Sequence, residues 1–347
     1  MSVRVTPRQV TRTVGFTAVA FGAFSVFVVN ANHLSVDNRA VIGSSRIDTE
    51  VLGRTLTRLA SDDVLFDSNR SGGFQIFAMA ADGTNLRQLT LDDSTDAWWP
   101  RRSPDRQHIL YYRSPLGTHD TDYTKAELWV MDSDGSNPRL LRGVGNDGWA
   151  IQGHAEWSPT GDSLVMFGGS VTNPQIYITD MEGKNPRPVT ARGGGNIDPS
   201  FSPDGSSVAF IGCPRKACTP NDYEVYVARL ADGALRRLTD DNLRDHHPAF
   251  SPDGSTIAWA TEIAPAGPNQ PIPVWDVRLI PSAGGEPRRL YNDANLTNRP
   301  VWETNKSLLV HRLELGVDLG YQVFRVGADG TGSERLTTGP NVNEYPG

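Results

Sequence analysis

The chain has 347 residues, with 33 Lys or Arg against 40 Asp or Glu and a formal net charge of −7. Its basic residues are scattered, so no electrostatic footprint for nucleic acid is present and no nucleic-acid partner is expected. Abundant glycine and proline (34 and 24 residues) and the lack of a long helical pattern after residue 62 point to short strands and tight turns.

At the amino terminus, Arg4, Arg8 and Arg12 precede an apolar run from Val14 to Val29, and Val29-Asn30-Ala31 resembles a small-residue cleavage site. Residues 1–31 therefore read as a secretory signal. The run falls just short of the roughly 20 apolar residues that span a bilayer comfortably, so an uncleaved N-terminal anchor is the alternative. Either reading places the rest of the chain outside the cytoplasm, secreted, periplasmic or anchored, and the membrane is expected to matter only through that anchor. Residues 32–62 form a linker in which Ile47, Val51, Leu52, Leu56 and Leu59 share one helical face, predicting a short helix over residues 46–60.

From residue 63 to 347 one phrase recurs six times. It reads Gln75-Ile-Phe-Ala-Met-Ala-Ala-Asp82-Gly83 … Arg87-Gln-Leu89-Thr90, then begins again at Glu127, Gln175, Glu224, Asp276 and Gln322, about 49 residues apart. Ahead of it stands a second phrase, as in Phe201-Ser202-Pro203-Asp204-Gly205 followed by Val208-Ala-Phe210, and Phe250-Ser251-Pro252-Asp253-Gly254 followed by Ile257-Ala-Trp259. Pro and Gly at those positions suit a type I turn, and the alternating β-branched and aromatic residues suit half-buried strands. Each repeat is thus a strand A, a Ser-Pro-Asp-Gly hairpin, a strand B, a loop, a strand C, an Asp-Gly hairpin and a strand D. The period and the four strands predict an all-β, six-bladed propeller of four-stranded antiparallel blades. The first repeat lacks a strand A, while Asn341 to Gly347 is a strand A with nothing after it, so the C-terminal strand should close the ring and leave no open edge.

Cys213 and Cys218, the only cysteines, lie in the loop between strands B and C of blade four and are expected to form a local disulfide in an oxidising compartment. No Gly-x-Ser-x-Gly elbow is present, and no catalytic residue is assigned.

The repeated Pro-x-[Phe/Trp]-Ser-Pro-Asp-Gly, the Gln-Ile-Tyr type of strand C and the Arg-x-Leu-Thr ending resemble the TolB-type, WD40-like (PD40) propeller repeats of bacterial envelope proteins, over residues 63–347. The resemblance implies a monomeric propeller that binds an envelope protein. Similar blades occur in prolyl-oligopeptidase-like enzymes and in oligogalacturonate lyases, so the resemblance fixes the fold more firmly than the function.

Aligning the blades on the strand A proline picks out Trp99, His154, Asp198, His247, Arg299 and Tyr345 as residues that should look into the channel mouth. The B–C loops should rise around that mouth with His119, Asp120, Asp122 and Tyr123 from blade two, Lys216, Asn221, Asp222 and Tyr223 from blade four, and Asn269 and Gln270 from blade five. Arg299 facing Trp99 and Tyr345 suits a polar or anionic ligand. A second reading makes His154, Asp198 and His247 the ligands of a divalent metal in a lyase or hydrolase; without it, no cofactor is expected. His246 should alternate to the other side of its strand. Trp129, Trp157, Trp259 and Trp302 should serve blade packing, and His311 should be a packed residue.

Overall fold

The Ser-Pro-Asp-Gly turn closes through its own short-range chemistry. In blade four, Gly205 N donates to Ser202 O at 2.9 Å, and Asp204 Oδ1 accepts from Ser202 Oγ at 2.6 Å and Ser206 N at 3.0 Å. Proline presets the first central dihedral, and Gly205 takes the left-handed φ of 70° that ends the turn. Ser251, Asp253 and Ser255 repeat these bonds in blade five. In blade two Arg106 stands in the glycine's place at φ 60°.

The other repeated letters have equally local roles. The threonine ending strand D accepts the strand C amide of its own blade, Thr90 from Ile76 N at 2.8 Å, Thr190 from Ile176 N at 2.9 Å and Thr337 from Val323 N at 2.8 Å. The glutamine opening strand C reaches the linker to the next blade, with Gln75 Nε2 donating to Asp92 O at 2.7 Å and Thr95 O at 2.8 Å. The phrase is therefore a set of side-chain bonds that tie strand D to strand C and one blade to the next.

The computed structural model of the chain describes residues 62–347 apart from 191–193, 216–217, 267–272, 292, 294 and 319. The expected signal and the helix over 46–60 lie outside the described residues, as do Lys216, Asn269 and Gln270. The described strands form six four-stranded sheets. Five run in simple order, as in Thr95–Arg102, His108–Pro115, Glu127–Asp132 and Arg139–Arg142 of blade two. The sixth joins the two ends of the ring: Asn343–Glu344 pairs with Val64–Ser68 in the register Asp67↔Glu344 and Ser68↔Asn343. Gly347 N to Leu65 O (2.9 Å) and Leu65 N to Gly347 O (3.0 Å) extend that seam. The all-β six-bladed ring, closed by its C-terminal strand, is the architecture the repeats predict.

Blades pack face to face through buried aromatic and aliphatic side chains, among them Trp98, Tyr112, Phe210 and Trp259. Trp98 Nε1 donates to Ser114 Oγ at 3.1 Å and Trp259 Nε1 to Asp245 Oδ1 at 2.9 Å, so burial of these rings leaves no indole donor unpaired. Because strands alternate in direction, the B–C loops and D–A linkers share one face of the ring, called the loop face below. The A–B and C–D turns share the other, the hairpin face.

Candidate binding site on the ring axis

Every complete inner strand carries a register break at the same place, between Trp98 and Arg101, Gly153 and Glu156, Ile197 and Ser200, His246 and Ala249, and Asn298 and Val301. Within these breaks, and at the matching position of the closing strand, stand the six aligned residues, all with left-handed backbone: φ is 57° at Trp99, 48° at His154, 53° at Asp198, 51° at His247, 54° at Arg299 and 49° at Tyr345. A bulge bends the strand and re-aims the side chain at its apex. Six in a ring converge on the axis.

They do not look into an open mouth on the loop face. His154, Asp198, Tyr345, Trp99 and His247 are buried, and the B–C loop of blade two folds inward over them. Its Asp120 is the hub. Arg299 Nη2 donates to Asp120 Oδ2 at 2.8 Å, Tyr345 and Tyr123 donate their hydroxyls to the same carboxylate, and His154 Nε2 lies 3.3 Å from Oδ1. The partners come from blades six, one, two and three, so one loop ties the ring together across its axis. Arg299 also lies over the Tyr345 ring at 3.7 Å, which uses the cation expected to receive an anion from the loop face. Two other predicted B–C loop residues stay local, Asp222 accepting from Thr219 and Arg215 and Asp122 from Thr124 and Lys125, whereas His119 reaches blade one, its Nε2 lying 3.4 Å from Asp67 Oδ1.

Beneath the hub, His154 Nδ1 meets Asp198 Oδ1 at 2.5 Å, and Asp198 Oδ2 accepts from His246 Nδ1 at 2.9 Å and His247 N at 3.1 Å. His246 does not point away from this cluster. It reaches across the blade junction to Asp198, because the break in register follows directly after it. The Trp99 ring stacks on His154 at 3.9 Å and Arg101 covers the other side of that indole at 3.9 Å.

Burial disfavours charge throughout, and the partners decide which groups keep it. Burial opposes protonation of His154, but Asp198 and Asp120 outweigh it and raise its pKa. Burial likewise opposes ionisation of Asp198, and the imidazoles of His247 and His154 with the bonds from His154 and His246 hold its carboxyl well below the usual range. For His247 burial wins and the pKa falls well below that of a free histidine. The two imidazoles are thus pushed in opposite directions, His154 toward its charged form by the carboxylates beside it and His247 toward its neutral form by burial.

On the hairpin face the channel opens into a cavity of about 300 Å³. Its floor carries Trp99, Asp198 and His247; its wall carries Arg101, Glu156 and Ser200; Trp157, Phe201, Phe250 and Trp302 form an aromatic rim. Arg101 Nε and Glu156 Oε1 lie 3.3 Å apart, giving the wall one ion pair. Trp157 and Trp302 do pack blade on blade, donating to Arg101 O at 3.2 Å and Ala249 O at 3.0 Å, yet both also face this opening. Assigning them to packing alone misses the rim, because one ring can serve a blade junction and a cavity at once. His311 is packed as expected, stacked on Tyr321 at 4.6 Å. Cys213 and Cys218 are joined in the B–C loop of blade four.

A closed ring of four-stranded blades, sealed by its own C-terminal strand and holding a buried polar hub beneath an open cavity, defines a six-bladed propeller with an axial cavity. The TolB beta propeller domain family matches residues 116–347, more than half the chain, and the chain belongs to that family. It is 32% identical over 154 residues to the Protein TolB homolog of Chlorobium luteolum, a match covering 43% of this chain and 31% of that protein. It is 28% identical over 115 residues to the Tol-Pal system protein TolB of Gluconobacter oxydans, covering 33% of this chain and 23% of that protein. The matches thus span less than a third of either relative. The crystal structure of TolB from Acinetobacter baumannii superposes with a TM-score of 0.64 over 82% of this chain and 66% of that one, at 16% identity, a likeness of fold.

Proposed function

We propose that the chain is an exported, envelope-associated binding module that takes a segment of a partner protein into the axial cavity from the hairpin face. The observation that carries this is the cavity of about 300 Å³, with an aromatic rim and a polar floor, where the channel is open. Such a site suits an apolar or aromatic side chain flanked by backbone or polar groups. The kinship with TolB proteins, one of them named for the Tol-Pal system, favours an envelope protein as partner. The charged pattern and apolar run of residues 1–31 and the Cys213–Cys218 bridge favour a location outside the cytoplasm. Residues 32–62 then link that signal or anchor to the propeller.

Ala249 lines the cavity. Ala249→Trp should fill the site without removing any bond. Envelope protein co-isolated with the wild type from the source bacterium should be lost with Ala249→Trp at an unchanged melting temperature. Equal recovery by both proteins would move the binding surface elsewhere. Mature protein from the native host should begin near Asn32 and carry linked cysteines by mass spectrometry; an intact Met1 with two free thiols contradicts export.

A further inference from the structure

Asp198 and His247 on the cavity floor, with the fully buried His154 behind them, form a donor set that a peptide-binding site does not require. The ligand atoms of His154, Asp198 and His247 all lie within 4.8 Å of one another, and the two imidazole centroids are 5.2 Å apart. Each side chain is carried to the axis by its own left-handed bulge, at φ of 48°, 53° and 51°. Such conformations are strained and persist where the surroundings enforce them.

Two further observations point to a ligand for these atoms. His247 lines the cavity, and its Nδ1 is buried and makes no hydrogen bond among the described residues, although Asp198 Oδ2 is 3.4 Å away. A buried nitrogen left in this state is a deficit that a metal removes. The remaining donors are already held from behind. His154 Nε2 is bound by Tyr123 (3.0 Å) and approached by Asp120 (3.3 Å), which turns Nδ1 toward Asp198. Asp198 is steadied by His246 at 2.9 Å. Outer partners of this kind orient imidazole and carboxylate ligands at metal centres.

We propose that His154, Asp198 and His247 hold one first-row divalent ion of the zinc class at the cavity floor. Two imidazoles with one carboxylate select such an ion over calcium or magnesium, which prefer oxygen-only shells. Three protein ligands leave a coordination position facing the 300 Å³ cavity, where a carboxylate, carbonyl or imidazole of an incoming segment can bind. The site stands on its own geometry, and metal content is read separately from partner capture, so either proposal can fail without the other.

The test uses the chain purified without a polyhistidine tag, stripped with a chelator and dialysed against Zn²⁺, with Co²⁺ as a spectroscopic probe. One ion per folded chain should be retained, and the Co²⁺ form should show visible bands of a four- or five-coordinate site. Asn tolerates left-handed backbone, so His154→Asn, Asp198→Asn and His247→Asn are the variants of choice. Each should weaken Zn²⁺ binding by more than the ~10–100-fold expected of the outer-partner variant Asp120→Asn, and His108→Asn, half-buried in blade two away from the axis, should bind as the wild type does. Should a variant fail to fold, pulsed electron paramagnetic resonance of the Cu²⁺-loaded wild type still decides: two coordinated imidazole nitrogens support the site, and none overturns it. No stoichiometric uptake of Zn²⁺ or Co²⁺, uptake of Ca²⁺ in their place, or binding unchanged in folded His247→Asn would equally overturn it.

Discussion

Trp99, Arg299 and Tyr345 sit in a backbone region that bulky residues seldom enter, with φ between 49° and 57°, and they stay there because their side chains are fixed at the far end. Arg299 and Tyr345 are fixed by Asp120, and Trp99 by its stack on His154 and its bond to Ala155 O at 3.2 Å. Asp120→Ala should therefore leave the guanidinium of Arg299 without its carboxylate in a buried setting and cost about 3–5 kcal/mol by denaturant titration, the range for breaking a buried pair. A loss under about 1 kcal/mol, the value of a surface pair, would show that the hub does not hold the axis. Thr190→Val tests the repeat phrase: it leaves Ile176 N–H without its acceptor and should cost about 1–3 kcal/mol, whereas an unchanged midpoint would make the threonine decorative. The six axial positions were legible because the proline that follows most of them sets the register. Asp120 as a hub and His246 as a partner of Asp198 were not, since both depend on where a loop or a bulge carries a side chain through space.

The loop over residues 117–125 and the C-terminal strand are the two elements on which closure rests. The first clasps blade one as well as the axis: His119 stacks on Phe74 at 3.6 Å and its Nε2 lies 3.4 Å from Asp67 Oδ1. Burial resists protonation of His119, but Asp67 outweighs it and raises the pKa. A histidine whose folded pKa exceeds the unfolded value of about 6.5 contributes its full stabilisation below that pH and loses it as pH rises through the folded pKa. The melting temperature should accordingly fall on the alkaline side of pH 6.5, and His119→Asn should flatten that limb; an identical limb in the variant would contradict the clasp. Deleting residues 338–347 should expose the edge of Val64–Ser68 and abolish cooperative unfolding or soluble yield, whereas an unchanged melting temperature would place closure elsewhere. Strand content and the closing strand were legible from the repeat and its two incomplete ends. The inward path of one B–C loop was not, because no periodicity governs a loop that packs on four blades.

At the scale of the molecule the two faces of the ring are unequal. The loop face is sealed at the axis by Asp120 and its partners, while the hairpin face opens into a cavity whose rim carries Trp157, Phe201, Phe250 and Trp302. The sequence reading placed the mouth at the loop face because it counted strand directions correctly but had no means of seeing the clasp. Exposed apolar residues on the loop face, including Leu315 (54% exposed) and Val317 (71%), mark the alternative surface on which a partner would sit if the cavity were not the site. The choice between the faces is decided most directly by a photo-cross-linking amino acid placed in the native host at Phe250 on the cavity rim and, in a separate strain, at Leu315 on the loop face. A discrete envelope-protein adduct from position 250, lost when Ala249→Trp is added, is the predicted result. Adducts from position 315 alone would contradict it and move the partner to the loop face.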